Sequence, residues 1–488
     1  MKFKILTIAF ITLCIASCKK ILVPDPADTG QVITEVFYTD FNGAFQGING
    51  VYASTREPYR NMWITDVMSD DGQNSTSGAQ EAIDFEVHAV QPSYGTVAAL
   101  WSASYSTIYR ANVLLNRAPG IALLGNQAIL RNQFVAEAYF LRALSYFNLV
   151  RLYGDVPLLT SELTSTTQLT IQRSSTADVY AQIEKDLLEA IKELPLKYPN
   201  PKLIQPVVNI AGGSEVGRAT LGSAKTLLGN FYLVRNENAK AEQVLQDIVN
   251  SNVYSLLPSY AANFNATGGA KNNAESVFEI QYGAASLVNG AQHDFSFQFG
   301  PVEDNNSLSR DRPSDNTLVD GNTLNNTLVQ AFPAADLRRA ASVSYSTTSP
   351  IRSINKKFYV AGAGNAGTVN WPVYRYSEVL LMLAEALQNQ GKDVQALTEL
   401  NKVRAAPRTG LPALTGLTGT ALRDAIRLER RLELNLEVKR WFDLKRWGIL
   451  EAVMNAHGRP IEVAKKGLLP IPQGEIEKNS KFTQNTGY

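Results

Sequence analysis

The sequence predicts a mostly α-helical fold, with helix pairs forming a scaffold and a loop-rich, partly irregular half carrying ligand. Three observations point there. Long segments place apolar residues three and four apart, the period of a helix with one buried face. A helix–turn–helix pattern occurs twice at a nearly constant offset. Between these copies, residues 252–372 are rich in Asn and Gly and show only short strand-like runs. The 488 residues are 45% hydrophobic with a net charge of +1, so general disorder is excluded. A near-zero charge also argues against nucleic acid as the main partner, because phosphate backbones call for a basic surface.

The chain opens as a secretory signal opens. Lys2 and Lys4 are followed by an apolar run from Ile5 to Leu13 and by the small residues Ala16 and Ser17. Ile15-Ala16-Ser17-Cys18 has the form of a bacterial lipobox, in which cleavage precedes a cysteine that receives lipid. Cys14 and Cys18 are the two cysteines of the chain. A disulfide or a cysteine-based metal site beyond residue 18 is therefore impossible. The three histidines are far apart, and no HExxH, GxSxG or Walker A pattern occurs. Residues 1–17 are expected to be a signal peptide, with Cys18 lipidated and residues 18–36 an extended tether.

Residues 37–251 read as an N-terminal helical region. A helix is expected over about 40–60, and the Asp-, Ser-, Gly- and Asn-rich stretch 68–95 reads as loop. Helical spacing follows at 104–117 and again over 128–153, where so few residues are charged that burial on most sides is implied. Gly154 and Pro157 should end that helix. Val179, Ile183, Leu187 and Ile191 mark an amphipathic helix over 176–193. Helices over 219–235 and 238–250 are joined by Asn236-Glu237-Asn238, and this shape recurs over 376–390 and 393–404, joined by Gln390-Gly391-Lys392. Leu227 matches Leu381, and Ala241, Leu245 and Ile248 match Ala396, Leu400 and Val403. Such pairs resemble tetratricopeptide units, which bury their faces by stacking on one another. Residues 252–372 form the variable, loop-rich region, with a strand-like run at Val277–Tyr282, and residues 373–488 return to helix pairs.

Several stretches then resemble the SusD/RagB family. They are RYSEVLLMLAEA at 375–386, LNKVR at 400–404, ERRLEL at 429–434 with RWFDLKRW at 440–447, and LPIPQGEI at 469–476 with QNTGY at 484–488. The N-terminal half adds YRANVL at 109–114, AEAYFLRA at 136–143 and LYGDVP at 152–157. The matches run in family order. The resemblance implies a lipid-anchored outer-membrane protein, exposed at the cell surface, with four tetratricopeptide-like units. It would bind a nutrient, most often an oligosaccharide, and deliver it to a SusC-like TonB-dependent transporter without catalysis. Oligopeptide delivery, as by RagB-like members, is the alternative within the same architecture. A secreted glycoside hydrolase using paired carboxylates, such as Asp70 with Asp71 or Asp304 with Asp311, is a third reading without a supporting motif.

Sugar recognition calls for exposed aromatic faces beside amides, carboxylates or guanidinium groups, placed on loops. Two segments have that composition. The first offers Trp63, Asp70, Asn74 and Tyr94, with Tyr59, Asp71 and Phe85. The second offers Phe295, Phe299 and Arg312, with Phe297, Asp311 and Trp371. Asp66, Asp70 and Asp71 lack the EF-hand alternation, so they read as solvated loop acids rather than a cation loop. No cofactor or metal is expected. Leu428, Leu432 and Leu436 suggest one helical stripe, with Trp441 in the core. Arg430 with Glu433, and Glu437 with Arg440, are close enough in sequence to pair on one helix, and helix-to-helix ion pairs that fix packing are expected of these charges.

Overall fold

The computed structural model describes residues 37–72, 80–162, 171–197, 217–264, 271–283, 327–345, 353–358 and 369–488. The signal, the tether, Cys18, Asn74, Phe295, Phe297, Phe299, Asp304, Asp311 and Arg312 lie outside them.

The chain begins with α1 (Phe41–Asn61), capped by the Asp40 side chain, which accepts from Gly43 N at 2.9 Å. A break at Met62 and Trp63 leads into the short, fully buried α2 (Ile64–Met68). Helix α3 (Gln80–Glu86) occupies part of the stretch read as loop. Helix α4 (Gly95–Arg117) starts nine residues before its sequence signal. Next comes α5 (Asn126–Tyr153), whose 28 residues run about 42 Å. Its apolar circumference is buried against three helices: α1, α4 and α6 (Thr176–Glu193). Phe140, Tyr146, Phe147 and Tyr153 have no exposed surface, each stabilising the fold by roughly 1.5–3 kcal/mol. Gly154, at φ +74°, stops the helix, as expected.

The recurring helix pairs are both present. Helices α7 (Leu221–Val234) and α8 (Asn238–Asn250) form the first; α11 (Tyr376–Gln388) and α12 (Asp393–Arg404) form the second. Each turn needs one left-handed residue, supplied by Asn236 at φ +59° and Gly391 at φ +74°. Leu245 of α8 packs so tightly on Gly229 of α7 that a Cβ there would lie 2.6 Å from its side chain. The pairs stack directly, α8 on α11. Lys392 and Gln390 in the second turn both bond Glu242 on α8, at 2.6 and 2.7 Å.

The intervening region contributes β1 (Ser276–Ile280), α9 (Thr327–Ala331), α10 (Leu337–Ser342), β2 (Val343–Tyr345), β3 (Ser353–Asn355) and β4 (Trp371–Arg375). Strand β1 pairs antiparallel with β4, Ser276 facing Arg375, and β2 pairs with β3. The strand-like run near 277 is therefore real, while β4 had no sequence forecast. After α12 come α13 (Gly419–Leu434), α14 (Arg440–Arg446), α15 (Leu450–Ala456) and α16 (Gln473–Lys478). Among the described residues, no helix is long and apolar enough to cross a membrane.

One expectation for α13 is corrected. Leu432 is buried but Leu428 is 42% exposed, and Leu436 lies beyond the helix end with φ +56°. The charges pair from helix to helix, as expected. Arg430 bonds Glu378 at 2.8 Å and Asp443 at 2.7 Å, both on other helices. Glu433 accepts from Arg338, Arg375 and Arg408, and Glu437 from Arg375 and Lys357. These carboxylates bind cations contributed from residues 338–408, so buried ion pairs fasten the intervening region to α13. Burial opposes ionisation of Glu433, but the three guanidinium groups outweigh it and hold its carboxyl far below the usual range.

Candidate functional site

The first candidate segment starts where α1 ends. Trp63 is only 6% exposed and belongs to the main core, so the expectation of an exposed sugar platform there is corrected. The reason is local: α1 stops at Asn61, and the chain turns into α2 with all five of its residues buried. Tyr59 and Phe85 are core residues as well.

The acidic turn is neither solvated nor shaped for a cation. Asp70 accepts two bonds from Arg440, both at 2.8 Å, and lies 3.1 Å from Arg431. Asp71 accepts from Arg431 at 2.6 Å. Burial disfavours the Asp70 charge, but Arg440 and Arg431 overcome that and hold its carboxyl at about 2. Asp66 has no such cation. Its Oδ2 accepts the Val438 N–H at 3.1 Å while Oδ1 has no hydrogen-bond partner, and burial pushes its pKa up to about 8. Arg459 donates to the carbonyls of Val67 and Gly72, at 3.1 and 3.0 Å. Arg431 of α13, Arg440 of α14 and Arg459, just beyond α15, thus clamp this turn, and a sugar hydroxyl could recruit Asp70 only by displacing them. Asp70 is corrected from a ligand contact to an ion-pair anchor.

Tyr94 is the described candidate that keeps partial exposure. It precedes α4, packs its ring 6.4 Å from Phe85, and donates its hydroxyl to Asp84, which raises its pKa to about 12. Its ring packs against the core and keeps part of its surface exposed, while its hydroxyl is engaged. Trp371, in β4, is buried and stacked on Phe358 at 4.4 Å.

The described stems of the two candidate segments are held by α1 and α13. Gly72 ends the acidic turn held by Arg431 of α13. Residue 283 follows Gln281 and Tyr282, which are tied to Arg56 of α1: Arg56 donates to the Gln281 carbonyl at 2.9 Å, and the Tyr282 hydroxyl donates to the Arg56 carbonyl at 3.0 Å. Helix α9, after residue 326, sets Leu328 against Leu432 and Leu436 at the end of α13. The acidic turn and α9 are therefore held at α13, and residues 281 and 282 at α1. Among the described residues no group of His, Cys, Asp and Glu could hold a metal ion.

The fold is a scaffold of stacked helix pairs. Residues 33–209 match a family described as "Starch-binding associating with outer membrane", and residues 343–488 match the "SusD family". The chain belongs to the SusD-like family, a glycan-binding family associated with the outer membrane. It is 27% identical over 537 residues to "SusD-like protein P2" of Formosa agariphila, covering 100% of both chains. A "SusD-like protein" of Bacteroides ovatus is 24% identical, covering 92% of this chain and 83% of that one. Among solved structures, a "Laminarin binding SusD-like protein" superposes with a TM-score of 0.72 at 26% identity, covering 92% of this chain and 100% of that one. "Surface glycan-binding protein A" from Bacteroides fluxus shares the fold, with a TM-score of 0.72 at 20% identity over 92% and 100% of the two chains.

Proposed function

We propose that this protein is a non-catalytic, lipid-anchored receptor that captures a glycan at the outer cell surface and delivers it to a SusC-like TonB-dependent transporter. The observation that carries the reading is the match of residues 33–209 to the family described as "Starch-binding associating with outer membrane". Aromatic and amide side chains suit a saccharide site, where apolar ring faces stack and hydroxyls seek planar polar groups. Asn74, Tyr94, Phe295, Phe299 and Arg312 are the proposed ligand contacts; Trp63 and Asp70 belong to the scaffold. The resemblance to a laminarin-binding structure makes laminarin the first glycan to test. Attachment through Cys18 would keep the body at the membrane, where a barrel partner is found by diffusion in two dimensions.

Calorimetric titration of the protein with laminarin and with a panel of other polysaccharides tests the binding. Saturable binding of at least one glycan is expected. Phe295→Ala, Phe299→Ala or Tyr94→Ala should weaken it by about 1–3 kcal/mol, the range for stacking on flat ligands. If no glycan binds, or all three variants bind as the wild type does, the placement of the site is wrong. Co-purification from mildly solubilised outer membrane tests the partner. A far larger barrel protein should accompany the chain, and its consistent absence at native expression would sink the delivery role.

A further inference from the structure

A second, unassigned pocket lies on the helical scaffold, between the ends of α7 and α11 and the facing sides of α13 and α14. Its room of about 120 Å³ is several times the roughly 10–15 Å³ that one water needs. Glu385, Arg423, Arg427, Arg446 and Trp447 line it, together with asparagine and glutamine side chains.

The charges in this pocket do not balance. Glu385 is fully engaged: it receives both terminal nitrogens of Arg446 and the Trp447 indole N–H. Among the described residues Arg423 reaches only the adjacent Asp424, at 3.2 Å, and that carboxylate is 59% exposed. Arg427 makes no hydrogen bond or ion pair among the described residues. It lies instead against the Trp447 ring, its guanidinium carbon 4.9 Å from the centroid, while Arg446 contacts the same ring at 5.0 Å. Arg423 and Arg427 are one helical turn apart on α13, a like-charge spacing that costs stability when nothing intervenes. Burial, then the Arg423 charge, lowers the Arg427 pKa, against the pull of Glu385 and Asp424.

We infer that this pocket binds a small oxyanion group, a carboxylate or a sulfate, between Arg427 and Arg423. Stacking on Trp447 orders the Arg427 fork in advance, so its donors are presented at a reduced entropic cost. The planar guanidinium suits a two-oxygen contact better than a bare point charge does. Arg446 stays with Glu385 and serves as the wall that keeps the indole in place. The group could arrive as a free anion or on an acidic sugar; the chemistry of recognition is the same. The inference is independent of the loop-borne glycan site.

The test is calorimetric titration of the purified full chain with sodium sulfate, glucose 6-sulfate and glucuronate. Glucose and sodium chloride at matched ionic strength are the controls. Saturable binding of at least one oxyanion and of neither control is expected, with Arg427→Gln weakening it about tenfold or more. Free sulfate binding as well as glucose 6-sulfate would mean that the anionic group alone is read; tighter binding of the sugar-borne groups would identify an acidic saccharide. Thermal melts keep the result independent of folding. Without anion, Arg427→Gln should melt within a degree or two of the wild type, because the lost contact with Trp447 is offset by relief of the repulsion from Arg423. A melting point several degrees lower would make Arg427 a structural residue and overturn the inference. So would equal affinity of the variant and wild type, or the lack of saturation by any oxyanion.

Discussion

Glu433→Gln is the sharpest probe of how the loop-bearing region is held. The side chain is fully buried and accepts from Arg338 at 3.2 Å and Arg375 at 2.9 Å, with Arg408 also bonded to it. Glutamine keeps the volume and removes the charge, and its amide turns two donors toward guanidinium groups that already donate. Arg375 retains Glu275 and Glu437, and Arg338 retains Asp336 and Glu429, so the network is weakened rather than emptied. Removing one partner of a buried ion pair costs about 3–5 kcal/mol, and that is the loss expected at pH 7. The pH dependence has a fixed sign. Glu433 has its carboxyl pKa lowered on folding, so its contribution is complete above the unfolded value near 4.5 and fades as pH falls below it. Guanidinium unfolding followed by far-ultraviolet circular dichroism should show a gap that is constant from pH 8 to about 5 and narrows toward pH 3. A variant within about 1 kcal/mol of wild type at pH 7 would refute the argument that this carboxylate anchors the region.

Three further outcomes are expected. Trp63→Ala, by opening a cavity in the core, should lower stability by about 3–5 kcal/mol and leave glycan affinity intact at temperatures where it stays folded; calorimetry paired with melts reads both. Asp66 has its pKa raised to about 8, so the fold holds a proton that the unfolded chain releases near pH 4. Stability from this group therefore falls as pH rises between those values, by on the order of 1 kcal/mol per unit. Asp66→Asn should flatten that slope in urea unfolding across pH 5–8, and an unchanged slope would refute the assignment. Cys18→Ala should move the protein from the membrane to the soluble fraction and abolish acyl labelling, whereas a variant that remained acylated would disprove the lipobox.

The scaffold was legible because stacked helices write their packing into local spacing. Residues 176–193 and 238–250 matched α6 and α8 to the residue, since an amphipathic period and a polar turn suffice to mark both ends. The offset linking Leu245 to Leu400 survived as two pairs packed side by side. Strand β4 escaped notice because Trp371 to Arg375 is five residues long and buried throughout, so it shows no alternation. Charge pairing was legible only in part. Arg430 and Glu433 stand at a spacing that allows a helical pair, yet their partners lie far along the chain: Glu378 is 52 residues from Arg430, and Arg375 is 58 from Glu433. A guanidinium buried by tertiary packing binds whichever carboxylate is buried with it.

The same physics explains why the acidic turn was misread. Asp66, Asp70 and Asp71 carry the composition of a solvated loop, and nothing within 300 residues of them supplies the arginines that bury it. Those cations are Arg431, Arg440 and Arg459, up to 392 residues away. The signal that could have found them was reciprocal: an acidic cluster at one end of the chain and a surplus of arginines among apolar residues at the other. An arginine at an apolar position has to meet a buried acid, because an unpaired buried charge is too costly to keep. Where that pairing closes, as at Asp70 with Arg440, the residues are scaffold. Arg427 is different: it is part-buried, so water as well as the proposed anion can meet its charge. Pairing therefore says more here about which residues are scaffold than residue type does, for the aromatic expected on the surface at Trp63 proved to be core.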